Sequence, residues 1–190
     1  MGGMTAGIAV SSTPLANAAK PPLQPEAPSG IAAMMNNSVL QRDKTLAFHN
    51  LHTGEKLETT FFTDGQFLPE SLNEINHLLR DHRNDQVGAM NPALMMLLHN
   101  LQAKLDVKQP FHIISGYRSA ETNAMLSKRS NKVAKKSLHM QGKAIDIRLP
   151  GTDIKHLHQA ALSLQGGGVG LYTRSDFVHL DVGRFRQWGS

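Results

Sequence analysis

Two histidines and an aspartate, His139, Asp146 and His179, have the types and spacing from which a metal centre can be built. Residues 142–149 read as a strand. Successive side chains alternate, so Ile145, Ile147 and Leu149 fall on one face and Ala144, Asp146 and Arg148 on the other. A carboxylate in the middle of such a strand needs an ionic or metallic partner, because an isolated buried charge is costly. His139 stands seven residues upstream, and a turn at Gly142 would return its imidazole to Asp146. Residues 176–182 repeat the pattern, with Val178, Leu180 and Val182 on the apolar face and Phe177, His179 and Asp181 on the other. Two neutral imidazoles and one carboxylate, with a fourth position left for water, form the ligand set expected of a catalytic zinc ion. Cysteine is absent, which excludes disulfides and thiolate metal sites.

The elements that must position these residues are legible from periodicity and punctuation. Residues 45–51 and 57–62, joined by Thr53-Gly54-Glu55-Lys56, predict a β-hairpin. A helix is expected over 69–83, starting near Glu70 or Ser71 and burying Leu72, Ile75, Leu78 and Leu79. A second is expected over 92–105, with Asn91 as cap, Pro92 in the first turn and a Met95-Met96-Leu97-Leu98 run apolar enough for the centre of the core. Then follow a strand over 111–115, a Ser-Gly-Tyr-Arg turn, a helix over 120–126 and a basic loop over 128–136. After the 142–149 strand come a helix over 153–164, a glycine turn at 166–168, and last strands over 169–172 and 177–182. The fold class is α+β: a small, mostly antiparallel sheet carries the zinc site, with flanking helices.

The blocks around these positions resemble a known family. They are Ser115-Gly116-Tyr117-Arg118-Ser119, then Ser137-x-His139-x2-Gly142-x-Ala144-x-Asp146, then Gly167-Gly168-Val169-Gly170-x-Tyr172. Phe177-Val178-His179-x-Asp181-x-Gly183 and Arg186-x-Trp188 complete the set. In this order the chain is similar to the zinc metallopeptidases of the D-alanyl-D-alanine carboxypeptidase type, and closest to the bacterial murein endopeptidase K group. It departs at Thr173, where that group places proline. The resemblance implies a zinc hydrolase of cross-linked peptidoglycan stems, with Asp176 as the base that takes a proton from water. Arg118, at the end of a tight turn, offers a guanidinium fork to a substrate carboxylate or to the oxyanion of the tetrahedral intermediate. Ser137 either hydrogen-bonds substrate or shapes its loop. Asp181 shares the face of His179 and either accepts from a ligand imidazole or pairs with a surface arginine. Trp188 is expected to pack over the C-terminal segment.

Composition bounds the remaining readings. At 190 residues, one domain over 38–190 is the natural size, and 40% hydrophobic with 18% charged residues fits a packed core. A net charge of +5 suits an anionic partner. No basic run with interleaved aromatics supports nucleic acid. No stretch reaches the ~18 apolar residues of an integral membrane span. Residues 1–18 resemble a signal peptide closing on Ala16-Asn17-Ala18, without a basic start, and 19–37 read as a Pro/Ala-rich linker. With the murein substrate that the resemblance implies, they lead to the expectation of a periplasmic protein, exported by a route that includes the twin-arginine option if an upstream start supplies the basic segment. A monomer is expected, but the sequence does not fix the oligomeric state. Two rival functions share the pattern: a D,D- or L,D-carboxypeptidase, and a non-catalytic wall-binding module with a structural zinc.

Overall fold

The computed structural model describes residues 1–3, 43–130 and 133–189. The signal-like segment beyond its first three residues, and the linker, lie outside these. A single eight-stranded sheet organises the rest. In chain order its strands are β1 (Lys44–Asn50), β2 (Lys56–Thr63), β3 (Gln66–Phe67), β4 (Phe111–Ser115), β5 (Ala144–Arg148), β6 (Gly168–Tyr172), β7 (Phe177–Asp181) and β8 (Arg186–Gly189). Across the sheet they run β3-β2-β1-β4-β5-β7-β6-β8. Most neighbours are antiparallel; β1 with β4 and β6 with β8 are parallel. The fold is therefore α+β and its sheet mostly antiparallel, as expected, but with eight strands the sheet is larger than the small one read from the sequence. Two strands had escaped notice. β3 has only two residues, and β8 carries arginine and glycine in place of an alternating apolar pattern.

Among the described residues, four helices accompany the sheet: α1 (Pro69–Leu78), α2 (Pro92–Leu105), α3 (Ala120–Arg129) and α4 (Ile154–Ser163). α1 packs on β2, α2 on β1 and α4, and α4 on β6 and β7. Together they cover the apolar side of the sheet, where Ile145, Ile147, Val178, Leu180, Val169, Ile113 and Phe48 are buried with Leu94, Met95, Leu98 and Leu101. α2 has the central place that its apolar run demands, and the Asn91 side chain caps it by accepting from Ala93 N at 2.9 Å.

Two helices differ in length from their sequence expectation. α1 stops at Leu78 rather than continuing to 83, because Asp81 is drawn inward. Its carboxylate, 1% exposed, accepts from Ser119 N (2.9 Å), Ser119 Oγ (2.8 Å) and Arg83 N (3.2 Å). α3 runs to Arg129, three residues past the expected end, with Ser119 Oγ as its cap on Thr122 N at 3.1 Å.

A short 3-10 turn, Leu138–Gln141, precedes β5 and carries His139. It ends at Gly142 with φ 62°, where a Cβ would stand 1.9 Å from the carbonyl oxygen of Ala89. Neither the backbone conformation nor the space admits a side chain there. Gly142→Ala is expected to destabilise the fold by at least ~2 kcal/mol, since strain and a backbone clash add. A chemical-denaturation midpoint unchanged from the parent would refute this account of the turn.

Candidate active site

One row of residues crosses five strands on the polar side of the sheet. Ser115 lies opposite Asp146, Asp146 opposite His179, His179 opposite Gly170, and Gly170 opposite Trp188. Period-two alternation puts all five on the face away from the helical core. The 3-10 turn then delivers His139 from above the row. In this way the structure brings together the three residues singled out as metal ligands.

His139 Nε2 lies 3.3 Å from Asp146 Oδ1 and 3.3 Å from His179 Nδ1, and His179 Nδ1 lies 2.8 Å from Asp146 Oδ1. The far nitrogen of each ring is already committed. His139 Nδ1 donates to the carbonyl oxygen of Gly116 at 2.7 Å, and His179 Nε2 donates to Asp181 Oδ2 at 3.1 Å. A neutral imidazole that donates through one nitrogen presents a lone pair at the other. Two imidazole lone pairs and a carboxylate oxygen therefore face one point, and only a cation can stand among three acceptors. Tetrahedral donors about 2.0–2.1 Å from a divalent ion lie about 3.3 Å apart, close to the edges of this triangle. The donor set fits a metal. Among the described residues, this group of three is the one that meets the geometric requirement for holding an ion.

Electrostatics say the same. Burial alone would raise the pKa of Asp146, but the charge and hydrogen bonds of His139, with those of His179, reverse the sign and hold it far below the usual carboxylate range. For His179, burial opposes the imidazolium, yet hydrogen bonds to Asp146 and Asp181 outweigh it and lift the pKa to about 9 when no metal competes. Asp181 is wholly buried. Burial pushes its pKa up, while His179, both terminal nitrogens of Arg186 (3.0 and 2.7 Å) and the N–H groups of Gly183 and Gly168 bring it well down. Both readings of Asp181 hold at once, because it accepts from the imidazole and pairs with an arginine.

Glycine makes this possible. A Cβ on Gly168 would lie 2.3 Å from Arg186 Nη1, and one on Gly170 would lie 2.5 Å from the Trp188 ring. Side chains of β8 thus reach across β6 to β7. Trp188 comes within 5.1 Å of the His179 ring, centre to centre, and donates to Tyr172 Oη at 3.0 Å. Trp188 therefore faces the site as well as covering the C-terminal strand. A groove of about 620 Å³ opens over the row, with Arg118, Ser137, His139, Asp146, His179 and Trp188 in its walls.

The other singled-out residues fall out as follows. Arg118 is 12% exposed, with Nη2 3.9 Å from Asp146 Oδ2, long contacts to Ser115 and Asn123 of 3.4 Å, and a buried Nε that has no hydrogen-bond partner. Ser137 caps the 3-10 turn by accepting from His139 N at 3.3 Å, and it also lines the groove. Asp176 is not brought to the metal ligands. It is 60% exposed, its backbone is left-handed (φ 51°), and its carboxylate sits 3.1 Å from Arg148 Nε. Of the basic loop, Lys136 lines the groove, and Lys132 lies outside the described residues. The contributions of Asp81, Gly168 and Arg186 were missed. For Arg186 the Arg-x-Trp block was a usable signal.

Three candidate metal ligands in an open groove fit a metallopeptidase, and the comparisons show that class. The sequence profile of the family described as peptidoglycan L,D-endopeptidase MepK matches residues 38–188. The chain belongs to that family. It is 43% identical over 147 residues to the peptidoglycan L,D-endopeptidase MepK of Escherichia coli K12, covering 77% of this chain and 81% of the relative. The MepK of Shigella flexneri matches to the same extent. A probable peptidoglycan L,D-endopeptidase MepK of Haemophilus influenzae is 40% identical over 162 residues, covering 85% and 86%. The family resemblance carried by the sequence blocks is thereby borne out.

Two outcomes follow from the geometry. The raised pKa of metal-free His179 means that its proton stabilises the fold fully below about 6.5, its ordinary value, and ceases to do so as pH rises through about 9. Chelator-treated protein should lose thermal stability across that window, while metal affinity rises because the competing proton leaves. Affinity that falls over the same interval would exclude His179 as a ligand. Asp81→Asn should loosen the turn that carries Arg118 and the Gly116 carbonyl. In a double-mutant cycle with Arg118→Ala, its effect on turnover should shrink, whereas a general loss of stability would be additive.

Proposed function

We propose that the protein is a zinc-dependent, periplasmic peptidoglycan L,D-endopeptidase that hydrolyses peptide cross-links. The single observation behind this reading is the meeting of His139, Asp146 and His179, each imidazole held from behind, at the floor of an open groove. Zinc suits two imidazoles and one carboxylate with a coordination position left open, and when bound it acidifies water and polarises a carbonyl. Three protein donors favour a catalytic over a structural site, which would close with a fourth.

The chain's own residues would do the rest. Arg118 holds a charged fork in the groove with one N–H unsatisfied, suited to the oxygen that gains charge as the carbonyl is attacked. Ser137 keeps His139 in place. Asp176 is the proposed base, taking a proton from water and giving it to the leaving amine. Its neighbours Ser175 and Phe177 both line the groove, so opening the Arg148 ion pair would suffice to turn its carboxylate inward. An L,D-endopeptidase cuts between the carbonyl of an L centre and the amine of a D centre. In murein joined through two diaminopimelates, the cross-link is such a bond, whereas D-alanine to diaminopimelate is not. Murein lies outside the cytoplasmic membrane, which supports export. Among the described residues, no helix is long and apolar enough to cross a membrane.

Digestion of purified cross-linked muropeptides, read by mass, tests this. Dimers joined diaminopimelate to diaminopimelate should be cut, and chelation should stop the reaction until zinc is returned. Cleavage confined to terminal D-alanine would make the protein a carboxypeptidase instead. Asp176→Ala and Arg118→Ala should each keep the metal and lose about 10²–10³ in kcat. Undiminished turnover in Asp176→Ala would leave that residue as no more than the partner of Arg148.

A further inference from the structure

The groove over the metal ligands does not end at Tyr172 and Trp188. A second cleft of about 590 Å³ lies beyond them and shares Tyr172, Ser175 and Trp188 with the first. The partition between the two is firm. Trp188 Nε1 donates to Tyr172 Oη at 3.0 Å, and the Tyr172 ring stacks on Phe177 with centres 4.5 Å apart. The remaining walls are Leu171, Thr173, Arg174 and Gly189, at the β8 edge of the sheet. Among the described residues, Arg174 is the one charged side chain lining this cleft, and it is exposed. It rides on a 3-10 turn, Thr173–Ser175, whose exit is pinned by Arg148, with Nη2 on Ser175 O at 3.0 Å and Nε on Asp176 O at 2.6 Å.

We infer that this cleft is a substrate subsite, which takes the stem peptide on one side of the scissile bond and pairs Arg174 with a free carboxylate of that stem. The inference rests on the endopeptidase reading. A cross-linked peptide extends away from the cut bond in both directions, so a groove for one stem alone accounts for half of the substrate. Continuity with the catalytic groove supplies the second half. Charge selects the contact, because the cleft wall carries a cation and no acid, while stems bear carboxylates. The aromatic partition gives the chain an apolar edge to cross.

The test pairs a variant with a modified ligand. For a diaminopimelate-linked dimer, Arg174→Ala should raise KM about three- to tenfold with kcat within about twofold, the range of a partly exposed charged contact. Amidating the stem carboxylates should raise the wild-type KM equally and leave the variant no further loss. Arg174→Lys should recover part of the affinity. Arg174 is exposed, so none of these changes disturbs the core. Calorimetric binding of an un-cross-linked diaminopimelate stem, free and amidated, gives the same comparison without turnover. A wild-type protein that binds the stem but cuts no dimer would remove the endopeptidase reading, while the binding arm still decides the subsite. Equal KM and equal stem affinity in Arg174→Ala and the parent would overturn the subsite, as would an amidation penalty that persists undiminished in the variant.

Discussion

A buried carboxylate in the middle of a strand is the constraint from which the site follows. Asp146 is buried within the sheet, only 7% exposed, where a lone negative charge could not persist. Everything around it answers that charge: His179 from the neighbouring strand, His139 from the turn above and Arg118 from the end of β4. The arrangement is stabilising only if the lone pairs that meet there share a proton or a metal ion. Cation binding is therefore built into the packing of the fold. The second layer obeys the same logic. Asp181, fully buried, is satisfied by His179, Arg186 and two backbone N–H groups, so the imidazole proposed as a ligand is fixed by a charge that is itself fixed.

Much of this was legible in the sequence because strand parity is a rigid rule. Once β5 and β7 were recognised, Asp146 and His179 had to share a face, and Asp181 had to share it with them. The helix positions were equally plain, since Asn91-Pro92 and the apolar run of α2 carry cap and core signals together. What stayed hidden depends on contacts between distant segments. The early end of α1 comes from Asp81 reaching Ser119, 38 residues away, which local propensity does not encode. β8 has no apolar alternation because its arginine and tryptophan reach across β6 to β7 rather than fill a core. Gly168 reads as the end of a glycine turn over 166–168. It is instead the first residue of β6, and its missing side chain, with that of Gly170 inside the strand, makes room for Arg186 and Trp188.

Asp176 shows where parity reasoning reaches its limit. Its place one residue before β7 frees it from strand alternation, and the left-handed backbone there sends its carboxylate to Arg148. Arg148 stands two residues after Asp146 on the same strand and the same face. The carboxylate proposed as a metal ligand and the arginine that holds the proposed base thus belong to one strand.

The turn between β6 and β7 joins the groove to the neighbouring cleft. Its residues line both the groove and the neighbouring cleft, while Arg148 clamps its end through two carbonyl oxygens and one carboxylate. Thr173 begins its 3-10 turn, at a first-turn position where proline is also tolerated, so threonine in place of proline leaves the geometry of the turn accessible. What threonine changes is the freedom of the backbone, because it does not lock φ. The Arg148 ion pair at the end of the turn thus ties the proposed base to the same short segment that carries Arg174 to the cleft wall.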